Sequence, residues 1–118
     1  MKITIPVSVG ELLDKITILE IKSQYTTNEY VSKELQELNQ IKSTLTQYTL
    51  EYELKLKEVN LKLWKIEDRL REKEKLQEFN EEFIELARSV YKTNDLRAEI
   101  KKEINEETQS IYQEIKLY

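Results

Sequence analysis

Of the 23 acidic residues in this chain only three are aspartate, and of the 19 basic residues only four are arginine. Glutamate and lysine are the low-cost occupants of a solvated helix surface. Aspartate is a weak helix-interior residue, so Asp14, Asp68 and Asp95 each ask for a reason. Arginine presents a planar fork that grips carboxylate or phosphate with two parallel hydrogen bonds, which lysine cannot copy. Arg69, Arg71, Arg88 and Arg97 all fall in the C-terminal half. The rare charged types gather in Asp14-Lys15, in Glu67-Asp68-Arg69-Leu70-Arg71 and in Asn94-Asp95-Leu96-Arg97. Such a set could hold an anionic group on its arginines, with a carboxylate accepting hydrogen bonds or acting as general base.

Helical phase sharpens the selection. At 100° per residue, Asn94, Arg97 and Lys101 continue the stripe of Phe83, Ala87 and Val90 and interrupt it with polar groups. Asn60, Trp64, Glu67 and Arg71 flank the stripe of Leu63, Ile66 and Leu70, and Glu20 falls inside the arc of Leu13, Ile16 and Leu19. An antiparallel hairpin turning near residue 78 would bring 67 opposite 88–92 and Asn60 opposite 95–99. The candidate ligand-binding residues are therefore Glu20, Asn60, Glu67, Asp68, Arg71, Asn94, Arg97 and Lys101. The competing reading is an ion network that fixes helix register, because charges on a core face are usually paired.

The elements that must position these groups are helical. The chain has 118 residues, 36% of them charged, with one glycine and one proline. That profile predicts a single all-α domain over 1–118, a bundle of about four helices. Residues 2–7 alternate and are β-branched, which predicts a short extended arm confined to an edge by Pro6. A two-stranded ribbon with a second copy could use such an arm. Ser8 and Glu11 form a capping box, with Val7 able to staple onto Leu12. The first helix is placed at 9–25, apolar on two sides and so central. The second follows the Thr26-Thr27-Asn28 break at 29–46. The third covers 50–76, and the last runs from an Asn80 cap over 81–117, with Ile104, Ile111 and Ile115 extending its apolar face. The last two should form a long antiparallel hairpin with near-coiled-coil packing.

Composition excludes several function classes. With no cysteine and no histidine there is no zinc finger, redox pair or Ser-His-Asp triad. No metal and no cofactor is expected. A net charge of −4 argues against nucleic acid as partner, which needs a dense basic field. No apolar run approaches a membrane span of about 20 residues. The first ten residues are too short for a signal peptide, so a cytoplasmic location is expected.

Three stretches resemble the signatures of a family of small all-helical bacterial and phage proteins, classed as a domain of unknown function. The first is Pro6-Val7-Ser8-x-Gly10-Glu11-Leu12-x-Asp14-Lys15-x-Thr17-Ile18-Leu19-Glu20-Ile21-Lys22. The second is Leu63-Trp64-x-Ile66-Glu67-Asp68-Arg69-x-Arg71-x-Lys73-Glu74. The third is Phe83-Ile84-Glu85-Leu86-Ala87-Arg88-x-Val90-Tyr91-x-Thr93-Asn94-Asp95-x-Arg97-Ala98-x-Ile100-Lys101. The resemblance covers most of the chain in order and leaves 26–50 unmatched. It implies a family and supplies no catalytic role. The function expected from the sequence is therefore interaction or assembly, as a homo-oligomer (a dimer first) or a partner-binding adaptor. The alternative is a small-anion or sugar-derivative binding protein, or a histidine-free enzyme working by electrostatic stabilisation.

Overall fold

The computed structural model describes residues 1–47 and 49–117; Tyr48 and Tyr118 lie outside the described residues. Four helices follow one another, α1 (Val9–Ser23), α2 (Glu29–Lys42), α3 (Leu50–Leu76) and α4 (Glu81–Glu107). No strand occurs among the described residues. The protein is all-α, and none of its described helices is long and apolar enough to cross a membrane.

Side chains decide where the helices begin and end. Ser8 Oγ accepts from the Glu11 N–H at 3.0 Å, the forward half of the capping box. The return half is absent, because the Glu11 carboxylate faces Lys101 instead, 2.7 Å from its Nζ. Asn28 and Asn80 cap α2 and α4 through their side-chain oxygens. The first helix stops at Ser23 rather than 25, and the second at Lys42 rather than 46. Ser23, Ser43 and Thr44 each donate their hydroxyl to a carbonyl three residues back, a local bond that competes with helix propagation.

The last helix departs furthest from expectation. It ends at Glu107, not 117. Ser110 N–H donates to the Asn105 carbonyl at 2.8 Å and Gln109 N–H to the Glu106 carbonyl. Gln109 adopts a left-handed φ of 52°. Together these make a Schellman stop. No basic residue stands in the final turn, where Glu106 and Glu107 oppose the negative end of the helix dipole. Ile111 and Ile115 therefore do not extend the apolar face of α4; they are 91% and 74% exposed. The same stop closes α3, with Gln77 at φ 55° and Glu78 N–H donating to the Lys73 carbonyl at 3.0 Å.

The α3–α4 connection is short, so the two long helices lie antiparallel. α1 sits at the centre and packs against α2, α3 and α4. It buries Leu12, Leu13, Ile16 and Leu19 on one arc and Ile21 on another. The core joins Leu12, Leu13 and Ile16 to Leu56 and Val59 of α3 and to Ile100 and Ile104 of α4. α2 buries no residue of its own; it lays Leu35 and Leu38 on that core and is tied to α3 by a 2.8 Å Lys42–Glu53 ion pair. All buried hydrophobics of the hairpin lie within 56–66 and 98–104, its base. Beyond them the hairpin projects. The radius of gyration is 16.1 Å, against roughly 13.5 Å for a compact chain of this length.

Candidate functional site

The polar residues that interrupt apolar stripes meet where α1, α3 and α4 touch. At their centre is Asp14, 1% exposed. Arg97 of α4 grips it with both arms of the fork: Nε donates to Oδ1 at 2.9 Å and Nη2 to Oδ2. Asn60 of α3 donates from Nδ2 to the same Oδ1 at 2.8 Å and to Thr17 Oγ1 at 2.9 Å. Thr17 passes its own proton to the Asp14 carbonyl at 2.7 Å. One carboxylate thereby links three helices. Donating to the Asp14 carboxylate holds the Arg97 guanidinium above its ordinary pKa, outweighing its partial burial.

One turn further along α4 lies a second pair. Lys101 is buried apart from its ammonium contacts, to Glu11 at 2.7 Å and to Glu114 of the C-terminal tail at 3.0 Å. Burial pulls its pKa down, but hydrogen bonds to the two carboxylates prevail and leave it raised. One turn beyond, Asn105 Oδ1 accepts from the Gly10 N–H at 2.7 Å, and Ser110 Oγ accepts from the Val9 N–H at 3.1 Å. These bonds fasten the start of α1 to the end of α4. Gly10, the chain's lone glycine, is there for closeness: a Cβ on it would stand 2.8 Å from the Lys101 carbonyl oxygen. The Asn105 Nδ2 group is buried and has no hydrogen-bond partner among the described residues.

The structure brings Asn60, Asn94, Arg97 and Lys101 into this region, with Asn94 Oδ1 3.5 Å from the remaining nitrogen of Arg97. It does not bring the other candidates there. Glu67, Asp68 and Arg71 are exposed on α3 and face one another at 3.8–3.9 Å along the helix. Glu20 pairs with Lys57 at 3.1 Å on a half-exposed rim. Trp64 stacks on Tyr25, with ring centroids 5.1 Å apart. Sequence reasoning singled out Asp14 as an outlier but did not place it among the site residues, and it missed Thr17, Glu11, Asn105 and Glu114. Asn105 had a readable signal, because 94, 97, 101 and 105 share one helical phase. Glu114 had none, since its position follows from where α4 stops.

Chemically the cluster is closed. Both Asp14 oxygens accept from Arg97 or Asn60 and the group is withheld from solvent, so it is not poised to take a substrate proton. Among the described residues no group of acidic side chains is arranged to hold a metal ion. Beside Arg97 lies a recess of about 100 Å³, lined by Asn94, Ala98, Lys101, Glu114 and Lys116. No curated protein and no solved structure matches the chain. A family model matches residues 1–118, and the chain is a member of the family of unknown function DUF6165.

Proposed function

We propose that this protein is a helical interaction protein that self-associates through the projecting end of its α3–α4 hairpin. The observation that carries the reading is that no hydrophobic side chain from residue 67 to residue 97 is buried. Leu70, Phe83, Leu86 and Val90 form a half-open seam, and Leu76, Phe79 and Ile84 stand more than half exposed around the turn. A two-helix hairpin cannot close its own apolar seam, whereas two hairpins packed together make a four-helix bundle.

Surface area and charge favour a second copy as the occupant. The accessible surface is 8615 Å². A compact monomer of 14.2 kDa would expose roughly 6,800 Å². The excess, about 1,800 Å² per chain, is more than the roughly 800 Å² that each partner buries in a standard protein–protein interface. The end of α3 carries Arg71 and Lys75, and the start of α4 carries Glu81 and Glu85. An isologous contact that lays α3 on the partner's α4 pairs these sets twice. Lys75 and Glu81 have no ion-pair partner among the described residues.

The alternative, a small-anion site at Arg97, has less support. The strongest donors of the guanidinium are already on Asp14. The recess beside it, about 100 Å³, is below the roughly 300 Å³ at which ligand pockets begin.

Sedimentation velocity over a concentration series tests the proposal. Wild type is expected to move from monomer to dimer. A chain carrying Phe79→Ser and Ile84→Glu is expected to associate more weakly than wild type with unchanged helicity, because both positions are exposed. A wild type that remains a monodisperse monomer at the highest concentration overturns self-association.

A further inference from the structure

The arm at residues 1–7 presents a second, independent feature. Met1, Ile3, Ile5 and Val7 alternate with Lys2, Thr4 and Pro6, the period of a strand with one apolar face. Yet Ile3 is 76% exposed, Ile5 68% and Val7 44%. No backbone N–H or carbonyl of residues 1–7 bonds elsewhere in the described chain. The arm's one polar contact with the rest of the described chain is a 2.8 Å ion pair from Lys2 to Glu37 of α2. Between arm and body runs a cleft of about 560 Å³, with Leu12, Tyr30 and Leu38 on its far wall. The described residues contain no strand on which the arm could pair within its own molecule.

We infer that the arm is a strand-pairing element whose occupant is the same arm of a second copy, joined antiparallel about a two-fold axis through Thr4. This register is the one that pairs all seven residues of the arm. With Thr4 opposite Thr4, Ile3 meets Ile5 and Met1 meets Val7, so apolar residues oppose apolar ones and share one face of the ribbon. Lys2 meets Pro6. Proline has no N–H, so the Lys2·Pro6 pairs must be the non-hydrogen-bonded ones. Hydrogen-bonded and non-bonded pairs alternate along an antiparallel ladder. Thr4·Thr4 is then non-bonded too, and the bonds run between Ile3 and Ile5. A ladder that hydrogen-bonds through residues 2, 4 and 6 is excluded by Pro6. The arm lies at the base of the hairpin, beside the contacts of Val9 and Gly10 with Ser110 and Asn105, so this contact is separate from the hairpin end.

Single-cysteine crosslinking reads the register, and the chain has no cysteine of its own. In a non-hydrogen-bonded antiparallel pair the Cα atoms are about 4.5 Å apart, within disulfide range of about 4.4–6.8 Å. Thr4→Cys is therefore expected to convert to disulfide-linked dimer under mild oxidation. Ile3→Cys faces Ile5, not itself, and is expected to stay a monomeric thiol. Both variants keep native helicity, since the arm contributes nothing to the core. The Thr4→Cys crosslink is expected to persist in a chain that also carries Ile84→Glu, which separates this contact from the hairpin contact. Three results each overturn the inference: Thr4→Cys fails to crosslink, Ile3→Cys crosslinks equally well, or the Thr4→Cys crosslink disappears with Ile84→Glu.

Discussion

At the scale of single residues, Asp14 sets the energetic terms of the interior. A carboxylate 1% exposed has given up its water and depends on Arg97 and Asn60 for every compensating bond. Removing one partner of a buried pair costs far more than the pair contributes, because the other charge is stranded. Arg97→Leu tests this. Leucine suits the helical phase of position 97, so packing alone predicts little loss. The stranded Asp14 predicts a loss of about 3–5 kcal/mol in urea unfolding. Adding Asp14→Asn removes the stranded charge, so the double variant should be more stable than Arg97→Leu alone, a coupling that a double-mutant cycle measures. If Arg97→Leu is as stable as wild type, the network is not structural, and a functional cost at Arg97 becomes the better account. The types involved were legible in advance, since rare Asp and Arg in a Glu- and Lys-rich chain mark the place. The partners were not, because helical phase gives a face and not the neighbour across it.

At the scale of elements, the hairpin end is fastened by charge where apolar burial fails. Lys73 is 2% exposed, its stem lying between the helices and its ammonium 3.1 Å from both Glu78 and Glu82. Arg69 reaches Glu82 from the other side, Nη2 to Oε1 at 3.1 Å. Hydrogen bonds from Lys73 and then Arg69 hold the Glu82 carboxyl below its usual range. A depressed carboxylate contributes stability that is complete above its unfolded pKa, about 4.3 for glutamate, and is lost as pH falls through the folded value. Amides at the α3–α4 turn should therefore lose protection on acidification below that point, before the core opens. Glu82→Gln should flatten this pH dependence when amide exchange is followed by NMR. An unchanged profile in the variant would show that Glu82 is not the titrating group. The boundaries of α3 and the start of α4 were legible because a helical stripe and an asparagine cap announce them. The end of α4 was not. Ile111 and Ile115 keep the phase of the helix, but the chain has already stopped at a left-handed Gln109, and apolar phase alone does not encode a stop.

At the scale of the molecule, the interior is divided between a packed base and a projecting end. The base contains the hydrophobic core together with the Asp14 network, while residues 67–93 bury only Lys73 and Thr93. Local stability follows local burial, so the isolated monomer should open in two stages. In dilute protein, hydrogen exchange of amides 67–93 should report an opening free energy lower than that of the core segments around Leu13, Leu56 and Ile104 by at least about 1.4 kcal/mol, a factor of ten in rate. A second copy seated on the hairpin binds the closed form and not the open one, so mass action should raise protection there as concentration rises. Global unfolding also releases the partner, so the core amides gain the same increment and the gap between the two regions stays constant. Hairpin protection that does not rise across the series would mean that no copy docks on the hairpin end. Uniform protection at every concentration would mean that the hairpin is as cooperative as the base, and that its open seam is stable without a partner.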